Sequence, residues 1–330
     1  MKVSRKMVNK QLRLRGMLLS RFVQKSSEAK FIESMQKSKK QMGKTFKGKN
    51  IEGLNCSEAW VSRKDGSEIR VRIYKPLRQK KEIPGVLWIH GGGYAQGIPE
   101  MSGNMYKRLI ETSGCVIVAP DYQLSIDAPY PAAFEDCYAV LLWMKNHAEE
   151  LGIRDDQLMV GGESAGGGLT AALTLYARDQ GEVNIAFQMP LYPMIDDRMT
   201  TGSARENNSY VWDSKTNGWA WQLYLGNLFG KEVPIYAAAA RATDYRNLPP
   251  TVTFVGDIEP FRDETVRYVE NLEKAGVPVD FRMYKGAYHG FDIIHPKAKI
   301  SKAASEFLMH SFKHATEHYF AAQPNIVRQQ

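Results

Sequence analysis

Short apolar runs recur along the chain at residues 85–89, 116–119, 158–160, 185–189 and 252–255. Each is too short to be a core helix and apolar almost throughout, as strands covered on both faces must be. Helix-patterned stretches at 132–147, 165–179 and 263–275 lie between several of them. Strand–helix alternation of this kind predicts a doubly wound, largely parallel sheet. Upstream, Ser67 to Tyr74 alternates polar and apolar residues, the pattern of a half-exposed strand, and is expected at an antiparallel edge.

With 330 residues, the chain is long enough for one large α/β domain plus an insertion, and for a sizeable core without staples. Residues 1–50 read as helical, because Met7, Leu14, Met17, Leu18, Phe22, Phe31, Ile32 and Met35 recur at spacings near three and four. Ser26-Ser27 is a candidate break with an N-cap, and Lys37 to Lys49, with Gly43 and Gly48, reads as a linker. Residues 196–240 carry Tyr210, Trp212, Trp219, Trp221 and Tyr224 without strand alternation, which suggests a helical insertion over the carboxyl edge of the sheet. The expected organisation is therefore a helical cap segment at 1–50, a core at 51–195 and 241–330, and a cap insertion at 196–240.

The formal charge of +8 is unevenly placed: residues 1–50 hold 15 Lys/Arg against Glu28 and Glu33, +13, which leaves −5 for the remainder. Such an arm could be drawn to anionic surfaces or nucleic acid. The reading preferred here is the solvated face of packed helices, since no nucleic-acid motif accompanies it. Cys56, Cys115 and Cys137 form neither a disulfide framework nor a metal pattern. Free thiols, no export signal after the basic start and no membrane-length apolar run lead to the expectation of a cytoplasmic protein without a membrane span.

The chemistry-bearing signals fall at the ends of the expected strands. Gly162-Glu163-Ser164-Ala165-Gly166 follows the apolar run 158–160 and opens a helix. This strand–turn–helix context is that of a nucleophile elbow, whose glycines keep side chains out of neighbouring backbone. His90-Gly91-Gly92-Gly93-Tyr94 follows the run 85–89. It can turn backbone N–H groups toward a developing oxyanion, with Gly92 and Gly93 as donors beside the Ala165 N–H. His90 is expected to brace that loop. His289 stands in a loop after the alternating stretch 279–284, where a general base would sit; His295 is a weaker candidate, and His147, His310, His314 and His318 lie on helical patterns. An acid is required between serine and histidine. Asp257, Glu259 and Asp263 all lie after the run 252–255, and spacing does not choose among them.

These motifs resemble those of the bacterial hormone-sensitive-lipase-like esterases, with the α/β-hydrolase fold. The His-Gly-Gly-Gly run, the elbow Gly162 to Gly167, Asp121-Tyr122 with Pro129 to Ala133, Asp196 to Thr201 and His289-Gly290-Phe291 carry the resemblance, which covers roughly residues 50–320. The family's Asp-Pro-Leu-Arg-Asp-Glu stretch aligns with Glu259 to Glu264, so the resemblance puts Glu259 at the aspartate position and leaves Asp257 as runner-up and Asp263 as a helix-start residue. Glu163 also departs from the usual Asp or Thr.

The resemblance implies a carboxylesterase acting on short- to medium-chain acyl esters, with Ser164, His289 and Glu259 as triad and Gly91, Gly92, Gly93 and Ala165 around the oxyanion. Tyr94, Glu163, Tyr210 and Trp212 are candidate substrate contacts; for the aromatics, packing of the cap is an equal reading, and for Glu163 a structural role. No cofactor or metal is expected. The expected partner is a small-molecule ester, with a homodimer allowed for and nucleic acid not expected. Competing readings are an amidase, deacylase or lactonase with the same triad, and a non-catalytic small-molecule receptor on the same fold.

Overall fold

The computed structural model describes residues 1–23, 27–78 and 82–324. Among them one eight-stranded sheet is built from β1 (Leu54–Ser62), β2 (Glu68–Pro76), β3 (Ile83–Ile89), β4 (Val116–Pro120), β5 (Ile153–Glu163), β6 (Phe187–Leu191), β7 (Thr251–Gly256) and β8 (Val279–Tyr284). Its strand order is β1-β2-β4-β3-β5-β6-β7-β8. The pairs β1/β2 and β2/β4 are antiparallel, and every neighbouring pair from β4 to β8 is parallel. The apolar runs thus became the central strands, and β3, β4, β6 and β7 are buried along their whole length.

Helices cover both faces: α1 (Arg13–Val23), α2 (Glu28–Thr45), α3 (Gly103–Ser113), α4 (Ala132–Asn146), α5 (Ala148–Leu151), α6 (Ala165–Gln180), α7 (Ser214–Leu225), α8 (Arg262–Lys274), α9 (Phe291–Ile294) and α10 (Lys299–His318). On one face, Tyr106 and Leu109 of α3 and Leu308 and Phe312 of α10 meet Val86, Trp88, Ile117, Met159 and Phe254. On the other, Val140 and Leu141 of α4 and Leu169 and Leu173 of α6 meet Leu87, Val118 and Val160. Tyr268 and Leu272 of α8 pack on Ala171 and Leu175 of α6. Crossover helices on opposite faces leave the carboxyl ends of β3, β5 and β7 open together at one edge, the usual place for a site in such a sheet.

The half-exposed strand expected at Ser67 to Tyr74 is instead buried on both faces. Its polar positions Arg70 and Arg72 are only 4% and 3% exposed. The reason is electrostatic. Arg70 pairs with Glu58 and Asp121 at 2.9 Å each and also with Glu100, and Arg72 pairs with Glu58 at 3.0 Å. A buried guanidinium is tolerated when carboxylates offset its charge in this way. Glu58 sits on β1, an edge strand without a legible alternation that escaped the sequence reading.

The N-terminal segment also differs from expectation. Leu14 and Leu18 are 77% and 53% exposed and Met7 is 42% exposed, while Val3, Val8 and Leu12 are buried. The side chain of Phe22 and the proposed break at Ser26 lie outside the described residues. Ser27 is the N-cap of α2, accepting from the Lys30 N–H. The stretch from Lys37, read as a linker, continues α2 to Thr45, because lysine is a good helix former and Phe31 and Met35 anchor the helix one turn apart. The insertion is only partly helical: α7, capped by Asp213 through the Thr216 N–H at 2.8 Å, is flanked by turns. Phe31 meets the rings of Trp212 and Trp219 at 6.4 and 5.8 Å, so α2 is clamped onto this insertion.

Phe31 is therefore the anchor of α2. Removing a buried phenylalanine typically costs roughly 3 kcal/mol or more. In Phe31→Ala, trypsin is expected to cut within Lys37 to Lys49 several-fold faster than in the wild type while the sheet domain survives. Cleavage at the wild-type rate would mean that α2 is held by something else.

Candidate active site

The bend after β5 is set by close backbone packing. Ser164 has φ 59° and ψ −117°, a strained conformation for a residue with a side chain. It is held by hydrogen bonds from its N–H to the Leu191 carbonyl and from Met194 N–H to its own carbonyl, both 3.0 Å. A Cβ on Gly162 would lie 2.5 Å from the Ile89 carbonyl oxygen, and one on Gly166 would overlap the same oxygen. The flanking glycines are thus required by the end of β3, as the elbow reading anticipated. Helix α6 starts at Ala165, and its positive end lies beside the serine.

The loop after β8 brings His289 to this serine: Nε2 lies 2.8 Å from Ser164 Oγ. Its Nδ1 lies 2.5 Å from Glu259 Oε2. The other Glu259 oxygen accepts the Gly256 N–H at 2.7 Å, and the residue is fully buried. Both carboxylate oxygens are therefore fixed, and the ring is oriented by one of them. Asp257 faces away and accepts the Gly286 N–H at 2.6 Å; burial raises its carboxyl above the ordinary range. Asp263, in the first turn of α8, accepts the Ser203 N–H at 2.7 Å and pairs with Arg262. Neither reaches the histidine. His295 is 2.5 Å from the Tyr288 hydroxyl. The imidazole of His289 is packed edge-on by Tyr192 and Phe261, with centroids at 5.0 and 4.8 Å.

The glycine loop lies directly on the elbow, because a Cβ on Gly91 would meet Glu163 O at 2.8 Å and Ser164 Cβ at 3.2 Å. Gly92 and Gly93 have φ of +121° and +60°, which glycine adopts without strain. Among the described residues, the N–H groups of Gly92, Gly93 and Ala165 donate to no protein acceptor. His90 braces the loop as expected: Nδ1 is 2.8 Å from the Gly91 carbonyl, and the ring stacks on Tyr122 at 4.2 Å.

The candidate substrate contacts separate. Trp212 is at the site: its ring is 6.3 Å from that of His289, a Cβ on Gly93 would run into it, and its Nε1 donates to Asn217 at 3.2 Å. Tyr94 is not, contrary to expectation. It is buried, its hydroxyl donates to the Met194 carbonyl at 2.7 Å, and its ring stacks on Tyr224 at 3.7 Å. Tyr210 packs against Tyr288 at 5.8 Å and against the backbone of Gly16, so it joins α1 to the histidine loop. Trp221 is buried beside Tyr94. For these rings the packing reading holds. Among the described residues, no three His, Cys, Asp or Glu side chains are grouped to hold a metal ion.

Glu163 is also removed from the substrate side. Its carboxylate points below the elbow, accepting from Trp88 Nε1 at 2.6 Å and from the Ser102 hydroxyl. Behind the histidine, the Tyr192 hydroxyl bonds Asp292 at 3.3 Å. Tyr192, Ser102 and Asp292 escaped the sequence reading; the one available signal was an acid three residues after His289. Burial pushes Glu163 up to about 7, against those two hydrogen bonds, and Asp292 up to about 6. An unfolded glutamate titrates near ~4.3. The folded chain therefore holds the Glu163 proton more tightly, so this contribution favours the fold at low pH and is lost as pH rises toward and through about 7. In Glu163→Gln, the decline in stability between roughly pH 5 and 8 should flatten, by a few degrees in Tm. Parallel Tm–pH profiles for the two chains would contradict this account of the buried acid.

Comparison with known proteins agrees with this geometry. The α/β-hydrolase-fold family matches residues 86–293. Esterase LipI of Mycobacterium tuberculosis is 32% identical over 226 residues, covering 68% of this chain and 71% of that protein. The ethyl acetate hydrolase of Pseudomonas putida is 28% identical over 74% of this chain and 78% of its own. Among solved structures, a bacterial heroin esterase superposes with a TM-score of 0.86 at 31% identity, covering 95% of this chain and 99% of that one. With its serine elbow, its glycine loop and these relatives, the chain belongs to the hormone-sensitive-lipase-like esterase family of the α/β-hydrolase fold.

Proposed function

We propose that this carboxylic ester hydrolase works through an acyl-enzyme formed on Ser164. His289 Nε2 removes the hydroxyl proton as Oγ attacks the ester carbonyl. The tetrahedral oxyanion lies toward the N–H groups of Gly92, Gly93 and Ala165, where each such donor typically lowers the barrier by ~3 kcal/mol. As the intermediate collapses, His289 returns the proton to the leaving alcohol. A water molecule, deprotonated by the same nitrogen, then attacks the acyl-enzyme, and the acid departs with Ser164 restored. Glu259 keeps the imidazole in the right tautomer and stabilises the imidazolium. The observation that carries this reading is the unbroken chain Ser164 Oγ–His289–Glu259, at 2.8 and 2.5 Å, on a family of named esterases.

The acyl group is short to medium in length. The support is Trp212, which roofs Gly93 and the imidazole and is itself backed by Phe31. Residues 1–50 and 196–240 act together as the cap, with the sheet domain as the core. The three free cysteines support a reducing, cytoplasmic setting; among the described residues no helix is long and apolar enough to cross a membrane.

Ser164→Ala and His289→Ala should each lower kcat by about 10⁴-fold or more, and the double variant should be little worse, because the groups act as a unit. Glu259→Gln should lose far more activity than Asp257→Asn; the reverse order would move the acid to Asp257. Matched p-nitrophenyl esters and anilides test the bond cleaved. Esters of short and medium chain should turn over fastest, and faster anilide turnover would replace the esterase reading with an amidase.

A further inference from the structure

The outer face of α1 packs against neither the sheet nor the insertion. Leu12, Gly16 and Ser20 turn inward, and Leu14 and Leu18, one helical turn apart on the opposite side, are 77% and 53% exposed. Met7 is 42% exposed in the turn before them, and Ile293, next to the Ile294 carbonyl that Arg15 holds, is 54% exposed. Two large apolar side chains exposed on one helix face, Leu14 and Leu18, mark a surface that meets something.

The charges around them say what. Residues 1–23 contain no Asp or Glu and hold Lys2, Arg5, Lys6, Lys10, Arg13, Arg15 and Arg21. Lys2 approaches Glu206 at 4.0 Å, but among the described residues Arg5, Lys6, Lys10, Arg13 and Arg15 have no carboxylate within ion-pair distance. Two of these guanidinium groups are instead pinned by main-chain carbonyls. Arg13 donates to Val8 O at 2.7 Å and to Lys6 O at 3.2 Å, and Arg15 to Ile294 O at 2.8 Å. Carbonyls fix their direction without cancelling their charge.

We propose that this face of α1, with the turn before it, docks on an anionic lipid bilayer. Exposed leucines gain by entering the acyl boundary and the surrounding cations gain from acidic headgroups, the two parts of interfacial binding. A nucleic acid would reward the cations but would give Leu14 and Leu18 nothing apolar to enter. The placement suits delivery of membrane-dissolved molecules to the site. Gly16 packs on Tyr210 and Tyr288, and the Tyr288 hydroxyl donates to Leu12 O at 3.3 Å. The residue after Tyr288 is His289. Docking itself does not rest on the catalytic reading, and Ser164→Ala should bind vesicles as the wild type does.

The test is co-sedimentation of the full chain with vesicles of phosphatidylcholine alone and with about 30% phosphatidylglycerol. Binding to the anionic vesicles should be at least ~10-fold tighter and should weaken sharply with added salt. The double variant Leu14→Glu, Leu18→Glu and the double variant Lys6→Glu, Lys10→Glu should each lose about 10-fold or more of that binding. Both should hydrolyse p-nitrophenyl acetate in solution at the wild-type rate, which shows that they fold. Equal affinity for neutral and anionic vesicles, or no binding to either, would overturn the proposal. So would a leucine variant that binds like the wild type while transfer RNA displaces the protein, since the surface would then be a polyanion site.

Discussion

The contact on which the rest depends is the meeting of the elbow with the end of β3. Ile89 O lies where side chains at Gly162 and Gly166 would be, so two adjacent parallel strands finish within backbone contact. That contact has two effects. It forces Ser164 to φ 59°, which lifts its hydroxyl out of the sheet, and it lays the glycine loop that follows β3 across Ser164. The bend at the serine and the position of the glycine loop are thus products of one packing constraint. The strain is tolerable because hydrogen bonds to Leu191 and from Met194 hold the turn on its far side.

A second layer fixes the imidazole. Glu259 arrives from the loop after β7 and His289 from the loop after β8, neighbouring parallel strands paired from Thr251/Val279 to Gly256/Tyr284. The register therefore sets the distance between acid and base. Tyr192 and Phe261 then confine the ring edge-on. Below the elbow, Trp88 and Ser102 tie Glu163 to the opposite side of the sheet, so a carboxylate adjacent in sequence to Ser164 is turned away from the serine hydroxyl.

Much of this was legible in the residues. The central strands announced themselves as apolar runs because they are covered on both faces, and the elbow did so because its glycines are demanded by contact. What was not legible was whatever depends on distant partners. The alternation in β2 suggested a solvated face, since nothing local shows that Arg70 and Arg72 meet Glu58, Glu100 and Asp121. The lysines of α2 resembled a linker because their helix is stabilised by Phe31 on remote tryptophans. Three carboxylates competed for the histidine; the family alignment favoured Glu259, and the fold shows that its side chain alone turns inward, while Asp257 is spent on Gly286. Tyr94 looked like a pocket residue from its place after the glycines, but a ring stacked on Tyr224 lies within the core.

If Ser164 is a nucleophile activated by His289, as proposed, covalent labelling will find it. A fluorophosphonate probe followed by peptide mass mapping should give one stoichiometric adduct, on the peptide carrying Ser164, and labelling should fall away in His289→Ala. An adduct at another residue, or none on a chain that still hydrolyses esters, would place the nucleophile elsewhere than Ser164.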